Sequence, residues 1–545
     1  MERKSMQRYE KKLIYANFDA VALKKSCKHL RMWDFFCNFA PQNMLNSMLR
    51  KIRITLATIC FVLINLLFLG VSWGLSQHIV WVAKIQFLPA LLALDYAMLL
   101  ILIAVTLLFG RIYCSVICPL GVMQDIFGWM GKKAKKNRYS HSPEKKWLRY
   151  GVLAVFVVCL IVGFAPVTTL LAPYSAYGRV VNSLFRPLYD LLNNGLAAFE
   201  SHYDSYIFSE VQLWMRSVTT FVVALLTLII LGFLAWRNGR TYCNTVCPVG
   251  TILSFFSRFS LMRVQMDKSK CKNCSLCEKN CKASAIDFKA GTVDASRCVA
   301  CGDCLEVCHF DALHYRPLTL KDRSAQSTKT ANAERQPDLN KRAFVTSAVL
   351  ATGAVAMAQA KMKVDGGMAV IEDKQAPHRE TPVTPPGSVS AYNMNRHCTA
   401  CQLCVSACPN NVLRPSTDPM KLMQPEMSFE RGYCRPECTR CSQVCPTGAI
   451  KAITKEEKTA IHIGHAVWIE QNCIPVTNGD HCGACARHCP AWAIQMVEKE
   501  INGKVVEVPV VDTEKCIGCG KCENLCPARP FSAIYVEGNT MHHIN

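Results

Sequence analysis

Four long apolar stretches alternate with polar connections in the first half of the chain. They cover residues 54–75, 87–109, 151–171 and 218–236. Each is close to the roughly 20 residues that a helix needs to cross a bilayer. The pattern therefore predicts four transmembrane helices.

Positive charge is distributed unevenly over the connections. Lysine and arginine number 12 in residues 1–53, one in 76–86, nine in 110–149, three in 172–216 and six in 237–270. Because basic residues are retained preferentially in the cytoplasm, this alternation predicts a cytoplasmic basic N-terminal segment and a four-helix unit with both ends cytoplasmic. Topology also accounts for much of the net charge of +22. We recognise no nucleic-acid-binding module and expect no nucleic-acid partner.

A short cysteine motif occurs twice in residues 54–263, the predicted membrane unit. Residues 111–121 read Arg-Ile-Tyr-Cys-Ser-Val-Ile-Cys-Pro-Leu-Gly, and residues 240–250 read Arg-Thr-Tyr-Cys-Asn-Thr-Val-Cys-Pro-Val-Gly. The cysteines of this CxxxCP repeat could bind a shared cofactor, form a redox-active thiol pair or simply pack: Cys114, Cys118, Cys243 and Cys247.

Most of the 32 cysteines fall into six runs with the spacing of 4Fe–4S ligands. Two runs lie in residues 264–315 and four in residues 396–537, which predicts two α+β ferredoxin-like domains in a multidomain membrane protein. Structural zinc also takes four thiolates, but six tight runs favour six 4Fe–4S clusters. The runs of the first domain are Cys271, Cys274, Cys277, Cys281 and Cys298, Cys301, Cys304, Cys308. Runs one to four of the second domain are Cys398, Cys401, Cys404, Cys408; Cys434, Cys438, Cys441, Cys445; Cys473, Cys482, Cys485, Cys489; and Cys516, Cys519, Cys522, Cys526.

In two-cluster ferredoxins, the fourth cysteine of each run binds the cluster of the other run. In residues 264–315 this predicts that Cys308 completes the site of the first run and that Cys281 completes the site of the second. In the C-terminal domain the fourth cysteine of every run is followed by proline. Proline fixes the backbone as it leaves the site.

The segments between the domains have no clear periodic pattern. Residues 316–340 are polar and are predicted to be a flexible linker, and residues 361–395, rich in Pro and Gly, a second linker. Residues 341–360 contain a mildly apolar run that is short for a membrane span.

With the doubled CxxxCP motif and the two-cluster domain that follows, residues 54–315 resemble ferredoxin-like membrane proteins of the NapH, MauN and NosR type. The chain from residue 341 onward resembles NapG, the four-cluster partner of NapH in the quinol dehydrogenase of periplasmic nitrate reductase systems. The resemblance implies that electrons pass from the quinone pool, with quinol as substrate, through 4Fe–4S clusters to a soluble reductase or cytochrome.

The resemblance also implies a location and topology. The protein would be a multi-pass protein of the cytoplasmic (inner) membrane, with the two-cluster domain cytoplasmic and the four-cluster domain periplasmic. Residues 341–360 would then be a degenerate twin-arginine-like signal, with Lys341, Arg342 and Phe344 as its matching positions, or a further membrane anchor.

The C-terminal domain also resembles four-cluster ferredoxin subunits in which the outer two runs exchange their fourth cysteines and the inner two do likewise. That resemblance implies that Cys526 joins the site of run one, Cys408 that of run four, Cys489 that of run two and Cys445 that of run three. Exchange between runs that are neighbours in sequence is the alternative pairing.

Asp95 lies inside the second apolar stretch, roughly 12 Å from its end at 1.5 Å per residue. An ionisable group at such a depth is costly and is by default functional. We expect Asp95 to accept a proton from quinol; a helix–helix hydrogen bond is the alternative. Two other functions stay open for the chain: a non-catalytic polyferredoxin subunit, and a redox-sensing or maturation factor.

Overall fold

The computed structural model of the protein describes five segments of the chain: residues 42–137, 139–201, 209–317, 372–501 and 503–544. Most of the basic N-terminal segment, nearly all of the 316–340 linker and the 341–360 signal or anchor lie outside the described residues.

Residues 42–257 form an almost entirely helical unit. Its helices are α1 (Gln42–Leu69), α2 (Trp73–Ile79), α3 (Trp81–Lys84), α4 (Phe87–Leu92), α5 (Tyr96–Phe109), α6 (Ile112–Val116), α7 (Pro119–Lys133), α8 (Lys146–Val162), α9 (Ala165–Leu171), α10 (Pro173–Val180), a π-helical turn (Val181–Phe185), α11 (Arg186–Ser201), α12 (Val218–Asn238), α13 (Thr241–Thr245) and α14 (Pro248–Ser257).

One long helix, α12, covers the whole of the fourth predicted span, and another, α1, covers most of the first, although α1 ends at Leu69, before the predicted end at residue 75. Among the described residues, α1, over Met48–Leu69, and α12 are long and apolar enough to cross a membrane by length and composition. The second predicted span breaks between α4 and α5, where Leu94 adopts a left-handed conformation with φ of 55°. The third breaks at Gly163, which is also left-handed and ends α8. The prediction of four continuous transmembrane helices is therefore wrong for these two stretches.

The segment between α1 and α5 and the segment that contains α9 fold back into the helical unit and reach the CxxxCP repeat. The hydroxyl of Tyr113 donates to Oε1 of Gln86 (3.0 Å) and accepts from the backbone N–H of Phe87 (3.1 Å). The hydroxyl of Tyr242 donates to the carbonyl of Leu171 (3.2 Å). These tyrosines occupy the same position in the two copies of the repeat, so each copy holds the tip of one inward-folded segment.

The first cysteine-rich module follows directly after α14. It contains β1 (Met262–Met266), α15 (Leu276–Lys279), β2 (Ile286–Asp287), β3 (Thr292–Val293), α16 (Asp303–Val307) and β4 (Leu313–Pro317). β1 pairs antiparallel with β4, and β2 pairs antiparallel with β3. The outer strand pair encloses both cysteine runs of the module.

The C-terminal domain is built from short helices and three two-stranded antiparallel sheets. Its elements are α17 (Ala391–His397), α18 (Leu403–Ala407), β5 (Leu413–Pro415), β6 (Pro425–Met427), α19 (Arg440–Val444), α20 (Lys455–Ala460), β7 (Ile461–Trp468), α21 (Ile474–Thr477), α22 (Ala484–Arg487), β8 (Ile494–Ile501), β9 (Lys504–Val511), α23 (Lys521–Leu525) and β10 (Ile534–Ile544). The sheets pair β5 with β6, β7 with β10, and β8 with β9.

Residues 372–395 belong to this domain and are not a flexible linker as predicted. Lys374 Nζ donates hydrogen bonds to the carbonyls of Glu523, Asn524 and Cys526 at the end of α23. Val383 is fully buried. Burial and the nearby Arg529 lower the pKa of Lys374 to about 8. The Pro and Gly content of this segment therefore serves an extended, packed chain.

The two cysteine-rich modules contact opposite ends of α1. Near its start, Arg50 pairs with Asp303 of α16 (3.1 Å). Just past its end, Gly70 lies against the backbone carbonyl of Ser406 in α18. Twenty helical residues separate Arg50 from Gly70, which is about 30 Å at 1.5 Å per residue.

α12 also contacts one module at each end, with its start near the C-terminal domain and its end near the first module. Before its start, Arg216 donates to Oδ1 of Asn411 in the C-terminal domain (3.4 Å). Just after its end, the backbone N–H of Arg240 donates to the carbonyl of Lys282 in the first module (2.7 Å). The helical unit therefore separates the two modules by the length of its longest helices.

Candidate metal centres

In the first module the cysteines form two groups of four. One group surrounds a small cavity and contains Cys271, Cys274, Cys277 and Cys308. The other contains Cys281, Cys298, Cys301 and Cys304. The fourth cysteine of each run has crossed to the other group, as the sequence predicts.

In the C-terminal domain the exchange takes place between runs that are neighbours in sequence. The four groups are Cys398, Cys401, Cys404, Cys445; Cys408, Cys434, Cys438, Cys441; Cys473, Cys482, Cys485, Cys526; and Cys489, Cys516, Cys519, Cys522. The pairing of outer with outer and inner with inner runs, implied by the resemblance, is therefore wrong, and the alternative is the one observed.

The packing of short helices explains this pairing. Each of α18, α19, α22 and α23 carries the third cysteine of its run, and the fourth follows within two residues of the helix end. α18 packs against α19, and α22 packs against α23. The chain that leaves one helix therefore passes the cavity of its packing partner. The same arrangement joins α15 to α16 in the first module.

In four of the six runs, left-handed backbone on both sides of the second cysteine turns the chain around the cavity. In run one of the C-terminal domain these residues are Ala400 and Gln402, and in run four they are Gly518 and Gly520. Left-handed residues make tight turns that bring successive thiols to one side. CxxC spacing alone predicted the ligands but not this conformation, since Ala and Gln rarely adopt it.

The groups fit 4Fe–4S clusters, because such a cluster takes four thiolates and four of the six groups each surround one small cavity with four thiols. Backbone N–H groups point at several sulfurs, for example from Ala493 to Cys489 (3.3 Å). Burial raises the pKa of Cys277 to about 11, so its thiolate forms when metal replaces the proton.

The four CxxxCP cysteines come together inside the helical unit. They are 4–5% exposed, and each lies close to the other three: Cys114, Cys118, Cys243 and Cys247. Cys118 and Cys247 stand directly before α7 and α14. The backbone N–H of Gly250 donates to the sulfur of Cys247 (3.4 Å). The two copies of the repeat thus form one site.

Arginines cross between the copies. Arg111 of the first copy donates to the carbonyl of Gly250 (3.0 Å), and Arg240 of the second donates to the carbonyl of Cys114. A Cβ at Gly121 or Gly250 would come within less than 3.0 Å of the carbonyl of the first cysteine in its own copy. This close approach explains why Arg and Gly recur at fixed positions.

Asp125 on α7 ties the site to the first module. Its carboxylate contacts Arg240 (2.7 Å), Lys282 (2.9 Å) and Arg53 (3.3 Å). Burial alone would raise the pKa of Asp125, but Arg240 and Lys282 hold it well below its usual range. Comparison of the two copies does not single out this residue, because Ser254 stands at the same offset in the second copy.

Asp95 does not lie inside a span. It is exposed, it precedes α5, and its carboxylate accepts a hydrogen bond from the backbone N–H of Met98 (3.1 Å). This is an ordinary N-cap, for which Asp is among the preferred residues. The helix begins only at Tyr96, so depth in an apolar helix no longer supports the role of Asp95 as a proton acceptor, and that role stays a prediction.

Comparison with known proteins agrees with this chemistry. The family model of a 4Fe–4S binding domain matches residues 94–137 and 219–266, which contain the two CxxxCP motifs. The family model of a 4Fe–4S dicluster domain matches residues 397–449 and 480–529. The first match contains one exchanging pair of runs, and the second contains the other pair except for Cys473.

Among curated proteins, the chain is 32% identical to the methylamine utilization ferredoxin-type protein MauM of Methylophilus methylotrophus, over 29% of this chain and 72% of MauM. It is 30% identical to the ferredoxin-type protein NapG of Escherichia coli K12, over 29% of this chain and 74% of NapG. The chain belongs to the ferredoxin-type iron–sulfur proteins that include MauM and NapG. Its function is therefore iron–sulfur electron transfer.

No solved structure is significantly similar to this chain. The relatives named above are of the MauM and NapG kind, and the resemblance of the helical unit to NapH and MauN stays a prediction.

Proposed function

We propose that the protein takes electrons from quinol at a membrane and passes them through six 4Fe–4S clusters to a soluble redox protein. The placement of the two cysteine-rich modules at opposite ends of apolar helices carries this proposal. When bound, each cluster accepts and releases one electron, so several in series suit a two-electron donor such as quinol.

The surface of the helical unit supports attachment to a membrane. In α1 and in α12, only 28% of the most apolar stretch of the helix is buried within the protein. Large apolar side chains stand exposed along α12, among them Ile229, Ile230 and Phe233. Exposed apolar patches of this extent mark surfaces that need a partner. The separation of about 30 Å between the modules matches the hydrocarbon thickness of a bilayer.

The distribution of charge supports the orientation. The basic connections 110–149 and 237–270 lie at the end that contacts the first module, and the connections with few basic residues lie at the other end. Under the positive-inside rule the first module is cytoplasmic and the C-terminal domain is periplasmic. Residues 341–360 would then carry the chain across the membrane.

The six cysteine groups form an ordered series. The two sites of the first module share exchanged cysteines, and so do the sites of each pair in the C-terminal domain. Within that domain, the backbone N–H of Cys434 donates to the carbonyl of Cys519 (2.9 Å), which joins the two pairs. The site that contains Cys401 faces the helical unit, since the Cys401 carbonyl lies against Gly178 of α10.

Quinol oxidation is tested with the full chain, purified anaerobically and placed in lipid nanodiscs. A short-chain quinol should bleach the cluster absorbance, and an oxidised soluble acceptor should restore it. The matching quinone serves as the control. If dithionite bleaches the clusters and quinol never does, quinol oxidation by this chain is wrong, and the non-catalytic polyferredoxin subunit takes its place.

Gly178 tests the contact between the helical unit and the C-terminal domain. A Cβ there would come within less than 3.0 Å of both the Cys401 carbonyl and the ring of Phe68. Gly178→Ala should slow quinol-driven bleaching several-fold without loss of iron. Gly195→Ala is the matched control, because a Cβ at Gly195 meets nothing within 4 Å. Equal rates for both variants would contradict the role of this contact.

A further inference from the structure

We propose that Cys114, Cys118, Cys243 and Cys247 together hold a seventh 4Fe–4S cluster, which connects the two modules through the helical unit. Each copy of the repeat supplies two of the four thiolates. Neither copy could complete a four-thiolate site alone, so the family match to each copy does not by itself define a site.

The local geometry resembles that of the ferredoxin sites. Four buried cysteines approach one another, and none of them forms a disulfide. Gly250 donates an N–H···S hydrogen bond, and the starts of α7 and α14 present the positive ends of two helix dipoles to thiolate sulfur.

The surrounding charges favour an anionic occupant. Arg111 is fully buried, and within the described residues its hydrogen-bond partners are uncharged oxygens of Gly250, Asn244 and Arg297. A buried guanidinium without an acidic partner is costly. A cluster with four thiolates carries a net negative charge and would compensate for it.

Several side chains around the four cysteines also have buried hydrogen-bond donors without a partner among the described residues. Oε1 of Gln124 accepts from the thiol of Cys243 (3.2 Å), while Nε2 of the same side chain has no partner among the described residues. Arg111 Nε and Arg240 Nη2 are likewise buried without a partner within this part of the chain. Buried donors without partners are rare. Sulfur atoms of a cluster and of its thiolates would accept from them.

The position of the four cysteines explains why such a cluster is needed. On one side, Asn244 donates to the carbonyl of Ala283, two residues from Cys281 of the first module (2.9 Å). On the other side, Tyr174 lies near Cys401 and Cys445 and also near Tyr113 of the repeat. Electron tunnelling falls off exponentially with distance, so a gap of about 30 Å between the modules would break the series of clusters without a centre in between.

The chemistry balances with iron and sulfide from the cluster-assembly machinery of the cell. Four thiols lose their protons and form four Fe–S bonds. The assembled cluster then takes one electron from a reduced neighbouring cluster, which is oxidised, and gives one electron to the next. The relay role rests on the proposed function, but the presence of the cluster does not.

The test is the iron and acid-labile sulfide content of the full chain, purified anaerobically in nanodiscs. Seven cubes require about 28 irons per chain and six require about 24. The double variant Cys118→Ala/Cys247→Ala removes one ligand from each copy and should lose about four irons. Cys60→Ala, a partly buried cysteine of α1 outside every group, is the matched control and should lose none.

A count of about 24 irons in the wild type would overturn the proposal. So would a wild type that contains zinc which the double variant lacks. So would a disulfide among the four cysteines in the purified chain. If the double variant does not fold, Cys247→Ser serves instead, with a changed electron paramagnetic resonance spectrum as the expected result. A count of about 28 irons in the wild type, combined with failure of quinol to bleach the clusters, would refute the proposed function. It would leave the proposal of a seventh cluster intact.

Discussion

Asp125→Asn tests whether a partly buried carboxylate, paired with a fully buried arginine, anchors the first module to the helical unit. The substitution removes the negative charge shared by Arg240, Lys282 and Arg53, and the side chain of Arg240 has no exposed surface. Breaking a buried ion pair by removing one partner costs about 3–5 kcal/mol. Lys282 keeps a contact with Asp303 (3.2 Å), so we expect the lower end of this range.

Hydrogen–deuterium exchange of the first module measures this cost. A loss of about 3 kcal/mol corresponds to roughly a hundredfold larger open population, because every 1.4 kcal/mol is a factor of ten. Backbone amides of α16 and β4 that exchange only when the first module opens should exchange faster by about that factor. Glu306→Gln is the control, since its ion pair with Arg50 is exposed and is worth at most about 1 kcal/mol.

The stabilisation that Asp125 provides should decrease as the pH is lowered. The pKa of Asp125 is held below its ordinary value in the folded chain, so its contribution is complete above the unfolded value of about 3.9 and is lost as the pH falls. The difference between wild type and Asp125→Asn should be constant from pH 8 to about pH 5 and should narrow below about pH 4. Equal exchange rates in Asp125→Asn and Glu306→Gln at pH 7 would refute the anchoring role.

Three further predictions concern cysteine pairing, the repeat and the N-cap. Cys398→Ala and Cys445→Ala should each remove about four irons, and the double variant about four rather than about eight, because both residues bind one cluster; iron analysis decides. Gly250→Ala should lower the thermal midpoint, since its Cβ would clash with a backbone carbonyl at a cost of about 1–3 kcal/mol, whereas Gly151→Ala, with open space around it, should raise the midpoint slightly; an equal response would contradict the close approach. Asp95→Asn should keep quinol-driven bleaching and stability unchanged and Asp95→Ala should cost about 1 kcal/mol; slowed bleaching in Asp95→Asn would support the proton-acceptor hypothesis.

Local spacing and apolar length predicted much of this architecture. CxxC spacing identifies ligands because the first three thiols of one run meet at one cavity whatever the rest of the chain does. α1 and α12 followed from uninterrupted apolar length. The breaks at Leu94 and Gly163 were missed because hydropathy averages over a window, while a helix ends at a single left-handed residue.

The exchange of fourth cysteines was not predictable from spacing. It depends on whether α18 packs against α19 or against a helix of another run, and that choice is a property of tertiary packing. The interpretation of residues 372–395 failed for a related reason, since Pro and Gly occur both in flexible linkers and in extended segments that pack on a domain. Only contacts such as those of Lys374 with α23 distinguish the two cases.

Electron transfer across a sealed membrane tests the central claim most directly. The full chain is inserted into liposomes that contain trapped oxidised cytochrome c, and dithionite is added outside as a reductant that crosses the bilayer poorly. If the two modules at opposite ends of the helical unit belong to one conductive series, the trapped cytochrome should be reduced much faster than in empty liposomes. Bleaching of the clusters with no reduction of the cytochrome beyond the empty control would contradict the account.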